Sequence, residues 1–241
     1  MMRDGLSPAE VATALVAGDP DGAQRQFGIV DRHGASVSYT GSECIPWAGG
    51  RFGQDYAVHG NILAGPEVVE AMEAAWHESA QSEALEWRLM ATLMAGDRAG
   101  GDRRGRQSAA ILVVSPDGAY EALRGGGAGG PSDEAVNLRV DDHLDPVPEL
   151  CRLLNLRDLG LSGRSYGPPI ILTDQLSAEV AVLLRRVGYR PASPGAADVT
   201  VSLERWAFDE ELLDRLVPGS IDPGLLRFLR QRAGEPWTAA F

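Results

Sequence analysis

Apolar positions recur at two different periods along this chain, and the period marks its elements. Ala109–Val114 is an unbroken apolar run of strand length, followed by the turn signal Pro116-Asp117-Gly118. It predicts a strand covered on both faces, in the middle of a sheet. Shorter runs predict a hairpin, Phe27–Val30 and Ser36–Thr40 around Asp31–Gly34, and further strands at Tyr56–Leu63 and Asn137–His143.

Helical spacing dominates elsewhere. Ser7, Pro8 and Glu10 form a capping-box signature for a helix ending at Gly18, with Val11, Ala14 and Leu15 as its buried stripe. Val68, Met72, Ala75 and Trp76, then Leu85, Leu89 and Leu93, predict two helices or one kinked helix. Asp145-Pro146 opens a helix through Leu150, Leu153 and Leu154, whose apolar side includes Cys151. Pro46 and the glycines of Gly41–Gly53 predict a loop, with Ile45 and Trp47 folded back onto the body. Gly125–Gly130 predicts a surface loop, and the Gly/Ser-rich stretch 157–169 a linker. Beyond it, Leu176–Val187, Val201–Trp206, Phe208–Leu216 and a segment opening at Ile221-Asp222-Pro223 predict short helices. The expected organisation is a mixed domain over 1–156, a linker, and a small helical domain over 170–241.

Composition narrows the function classes. With 241 residues, 44% hydrophobic and 23% charged, the chain is an ordinary globular one. Its net charge of −12 argues against nucleic acid as a partner. All 22 basic residues are arginine, which excludes a Schiff-base, phosphate-loop or Ser–Lys lysine. Cys44 and Cys151 have no metal-ligand spacing, and no stretch reaches the roughly 20 apolar residues of a membrane span. With no leader pattern at its start, the chain is expected in the cytoplasm, without cofactor or bound metal.

The candidate chemistry clusters before the apolar run. Asp102, Arg103, Arg104 and Arg106, with Gln107 and Ser108, either form an ion-pair cluster or offer planar donors to a carboxylate or phosphate. Ser108 lacks the glycine elbow of a hydrolase serine. Asn61 either donates to a substrate carbonyl or makes a local turn bond. Asp141, Asp142 and His143 alternate faces on a strand, which keeps them from one ion. His33 and His77 are expected to be solvated.

Four stretches carry a resemblance: CIPWAG (Cys44–Gly49), GNILAGPEVVEAM (Gly60–Met72), GGDRRGRQSAAILVV (Gly100–Val114) and LRVDDH (Leu138–His143). In this order they resemble the bacterial domain-of-unknown-function family 1028, placed in the N-terminal-nucleophile hydrolase superfamily. The resemblance implies an α+β fold, a four-layer αββα sandwich, over about residues 4–156. The stretch LLRRVGY (Leu183–Tyr189), the helix around Trp206 and IDPGLLRFLR (Ile221–Arg230) resemble a peptidoglycan-binding module. In that superfamily the first residue is the nucleophile and its amino group the base. Here the chain starts Met1-Met2-Arg3-Asp4, so the resemblance implies missing first strands and no catalysis by this chain. A small peptide-like substrate or peptidoglycan is the expected partner, and self-association through an unpaired strand edge is a further expectation.

Overall fold

The computed structural model describes residues 1–79, 84–114, 134–160 and 168–235. The Gly125–Gly130 loop, the Pro116–Gly118 turn and part of the expected linker lie outside them. The chain is mixed α and β with small antiparallel sheets. It divides into two compact units, residues 1–111 with 140–147, and residues 112–139 with 148–241.

In unit 1, α1 (Pro8–Ala17) starts as expected. The Ser7 hydroxyl accepts from the Glu10 backbone N–H, and the Glu10 carboxylate accepts from the Ser7 N–H at 2.8 Å. Its buried side differs from expectation. Val11 and Ala12 are buried, with Pro8, while Ala14 and Leu15 are exposed. β1 (Gln26–Val30) and β2 (Ser36–Thr40) form the expected antiparallel hairpin. The Asp31 carboxylate closes its turn, accepting from the His33 and Ala35 backbone N–H groups at 2.7 and 3.0 Å. His33 is exposed, as expected.

The expected loop at Gly41–Gly53 instead ends in a strand, β3 (Gly49–Gly53), paired antiparallel with β4 (Tyr56–Gly60). The glycines serve close packing. A Cβ at Gly49 would lie 2.5 Å from the Trp47 ring, and one at Gly53 would lie 2.7 Å from the Tyr56 ring. Trp47 is half-buried, but Ile45 is 52% exposed and does not fold back. The next segments are two helices, α2 (Glu67–Glu78) and α3 (Leu85–Arg98). α1 packs on β1–β2, that hairpin packs on β3–β4, and α2 covers β3–β4 and meets α3. Tyr56 and Trp76 lie 6.0 Å apart in this core, and the Arg88 guanidinium sits 3.8 Å over the Trp76 ring.

The apolar run forms β5 (Ala109–Val114), but not as a strand covered on both faces. Ile111 and Val113 are buried while Leu112 and Val114 are 57% and 60% exposed. Its sheet has two strands, the other being β6 (Glu134–Val140), and the described residues cover only one face. β6 ends before Asp141, three residues earlier than expected. The boundary between the units runs through both strands.

The second segment of unit 2 opens with most of α4 (Pro146–Gly160). This helix continues through residues 157–160, where the linker was expected to start. The reason is polar pairing. Arg157 forms a buried ion pair with Asp158 at 2.8 Å and donates to the Ala135 carbonyl, while Arg215 donates to the Leu159 carbonyl at 2.6 Å. Cys151 is buried, as its position predicted. Then follow β7 (Ile170–Ile171), α5 (Asp174–Arg186), α6 (Ala196–Asp209), β8 (Leu216–Val217), β9 (Ser220–Ile221) and α7 (Pro223–Arg232). The sheet in the order β7-β9-β8 was not expected, because two-residue strands leave no period to read. Val180, Leu184, Leu203, Trp206, Leu225 and Leu229 are all but inaccessible at its helical core. Among the described residues, no helix is long and apolar enough to cross a membrane.

Candidate functional site

The two hairpins of unit 1 meet along an unusual face. Strand alternation puts Gln26, Gly28, Val30, Ser36, Ser38 and Thr40 on one side of β1–β2, and Gly50, Phe52, Ala57 and His59 on one side of β3–β4. These faces touch. A Cβ at Gly28 would lie 2.8 Å from the Ala57 Cβ and 3.2 Å from His59 Nδ1, and one at Gly50 would lie 2.2 Å from Ser38 Oγ. Ser38 Oγ and His59 Nδ1 are buried there without hydrogen-bond partners. Burial holds the His59 pKa below its ordinary value.

At one end of this face Gln26 links the hairpins. Its Nε2 donates to the Thr40 hydroxyl at 3.0 Å and to the Gly49 and Gly60 carbonyls at 3.3 and 2.8 Å. Only an NH₂ group suits those carbonyls, so Oε1 faces the other way. There it accepts from Asn61 Nδ2 at 3.1 Å. The Asn61 amide is thereby oriented, and among the described residues its Nδ2 makes no second hydrogen bond. Both alternatives for Asn61 assumed local partners or substrate; its actual partner lies 35 positions away in sequence.

The segment after Asn61 carries the arginine loop. Leu63 bridges Asp102, the Arg103 N–H donates to the Ile62 carbonyl at 2.9 Å, and the Ala64 N–H donates to the Gly101 carbonyl. Two arginines are committed internally. Arg104 grips the Asp102 carboxylate at 2.6 Å, and Arg106 grips Asp97 at 2.6 Å with Asp145 at 3.4 Å. The hydrogen bonds from Arg104 hold the Asp102 pKa below the usual carboxylate range. Arg103 is exposed and makes no ion pair among the described residues. The ion-pair reading therefore describes Arg104 and Arg106, and the open guanidinium is Arg103.

Among the described residues no hydrogen bond joins the remaining candidates to the Asn61 side chain. The His143 N–H donates to the Gln107 carbonyl and the Asp145 N–H to His143 Nδ1, both at 2.9 Å. Ser108, Asp141 and Asp142 are exposed. Among the described residues, no group of three or more His, Cys, Asp or Glu side chains is placed to hold a metal. Sequence reasoning missed Gln26, Ser38 and His59. The signal was the alternation Ser36, Ser38, Thr40, a polar strand face that happens to be covered.

The sequence model of a family of unknown function, DUF1028, matches residues 1–150. Among solved structures, a Silicibacter pomeroyi protein of the same family is 30% identical, with a TM-score of 0.53. That match covers 66% of this chain and 63% of the other, so the chain spans somewhat less than two thirds of that relative. No curated protein matches the chain.

Proposed function

This chain belongs to the family of unknown function DUF1028, and from that premise we propose that unit 1 is an amide-binding domain of the N-terminal-nucleophile hydrolase type. The packing order of α1, β1–β2, β3–β4 and α2 supports a four-layer αββα sandwich. The observation that carries the reading is the Gln26–Asn61 pair, in which the exposed Asn61 carboxamide is held by donating from Nδ2 to Gln26 Oε1. Such a donor polarises an amide carbonyl. Arg103, joined to the same segment through its backbone, supplies a partner for a peptide carboxylate. The proposal is of binding without turnover.

Titrating the full chain with N-acetylated dipeptides, followed by chromatography for released amine, tests this. Binding should weaken about tenfold in Asn61→Ala and in Arg103→Ala, the worth of one charge-assisted or oriented contact, with no amine released. Unchanged binding in both variants overturns the site. Hydrolysis abolished by substitutions in the arginine loop overturns the non-catalytic reading.

A second reading concerns unit 2 as a module recognising peptidoglycan. It is favoured by a cleft of about 320 Å³ beside α6, lined by Thr200, Glu204 and Ser220 among apolar residues. Retention of the full chain on purified peptidoglycan supports it, and passage without retention removes it.

A further inference from the structure

We propose that the cleft between α6 and the β8–β9 hairpin binds a protonated primary amine on an aliphatic stem, the side chain of a lysine-like residue in a peptide. This rests on the reading of unit 2 as a recognition module and names the chemistry it recognises. The cleft has a volume of about 320 Å³, at the lower bound of the roughly 300–1,000 Å³ typical of small-ligand sites. It fits one long side chain better than a sugar polymer.

The polar side chains of the lining are acceptors only. The Thr200 hydroxyl spends its proton on the Ala196 carbonyl at 2.7 Å, and the Ser220 hydroxyl spends its own on the Val217 carbonyl at 3.2 Å. Both therefore present lone pairs and no donor. Glu204 stands one turn along α6 from Thr200, the spacing at which helical side chains are neighbours. Glu204 is exposed and makes no ion pair among the described residues. No arginine, histidine or carboxamide lines the cleft. Arg215, close in sequence, is directed to the Asp158 and Leu159 carbonyls.

Three side-chain acceptors with no side-chain donor beside them select against anions and carbonyl ligands. An ammonium carries three donors, a positive charge and no acceptor. Leu203, Leu213, Leu216 and Val217 supply the apolar wall along which its methylenes lie. Leu213 and Val217 are each 47% exposed, so the wall is open to a ligand.

The test is amide-resolved NMR titration of the full chain with Nα-acetyl-lysine methylamide, against Nα-acetyl-norleucine methylamide, which keeps the stem and lacks the charge. The lysine probe should perturb α6 around Thr200 and Glu204 and the 213–220 segment, and bind about tenfold more tightly than the norleucine probe. Glu204→Gln, on an exposed helix face, should keep the fold and abolish that preference. Equal binding of the two probes, no change in Glu204→Gln, or perturbation confined to other segments overturns the proposal. If the lysine probe binds as stated while peptidoglycan is not retained, only the wall-binding reading fails. If peptidoglycan is retained equally by wild type and Glu204→Gln, the module reading stands and the amine site fails.

Discussion

The two units hold themselves together by opposite means. At the centre of unit 2, Trp206 and Phe228 lie 5.8 Å apart amid inaccessible leucines. There, side-chain volume excludes water, and the stabilisation scales with the apolar area removed from it. Between the hairpins of unit 1, Gly28 meets Ala57 and Gly50 meets Ser38, so backbones approach because side chains are missing. One region is sensitive to what is taken away, the other to what is added. This contrast also places the chemistry: the close, polar face ends in the Gln26–Asn61 pair, and the apolar core carries its cleft on the outside.

The largest effect expected is that of Trp206→Ala. Removing the indole from a site with no exposure should cost about 3–5 kcal/mol of stability, read by urea unfolding followed by circular dichroism. A loss below about 1 kcal/mol would mean that the core collapses around the vacancy, and the contrast would weaken. Next comes Gly28→Ala, where the added methyl carbon would stand 2.8 Å from the Ala57 Cβ. Gly28 does not require a left-handed backbone, so the cost is steric alone, about 1–3 kcal/mol. Gly28→Ala with Ala57→Gly should recover much of it. Failure of that rescue would place the cost elsewhere than in the approach of the hairpins.

Much of the fold was legible because local rules and tertiary packing agree. Ser7, Pro8 and Glu10 specify the start of α1, and Asp222-Pro223 that of α7, whatever surrounds them. The Ser7–Glu10 hydrogen bonds hold the Glu10 pKa below its ordinary value, the electrostatic mark of the same box. β3 was hidden because its glycines carry no hydrophobic period, and their reason lies in the rings of Trp47 and Tyr56. The apolar run of β5 misled for the converse reason: Leu112 and Val114 satisfy strand propensity without being buried. The candidate site was half legible. Asn61 and the arginines stood out by type, whereas Gln26 acts through pairing across 35 positions that no local pattern encodes.

The caps sharpen the contrast at a smaller scale, because one device recurs in two environments. Ser7 is an exposed cap, while the Asp222 carboxylate is buried and accepts from the Gly224 and Leu225 N–H groups at 2.8 and 3.2 Å. Ser7→Ala should cost about 1 kcal/mol, and Asp222→Ala about 2 kcal/mol, the upper end for caps, because it strands buried donors. Equal costs would show that burial adds nothing to this cap in unit 2.

The smallest effect concerns pH and falls on the inter-hairpin face. His59 is kept neutral by burial, its folded pKa lying below the value of about 6.5 it takes when unfolded. Between those two values the unfolded chain binds more protons than the folded one, so stability rises with pH. Acidification from neutral pH through the ordinary imidazole range should therefore lower the melting temperature, and the loss should level off once pH falls beneath the depressed folded value. His59→Gln removes the titrating group while keeping a polar side chain of similar length, and should flatten that part of the profile. Gly28 faces the His59 ring from the opposed hairpin, and the Ser38 hydroxyl stands over Gly50, the cross-strand partner of His59; neither titrates there. Parallel melting profiles for wild type and variant between pH values on either side of the imidazole range would show that water already reaches Nδ1, and that the face between the hairpins is looser than its glycines allow.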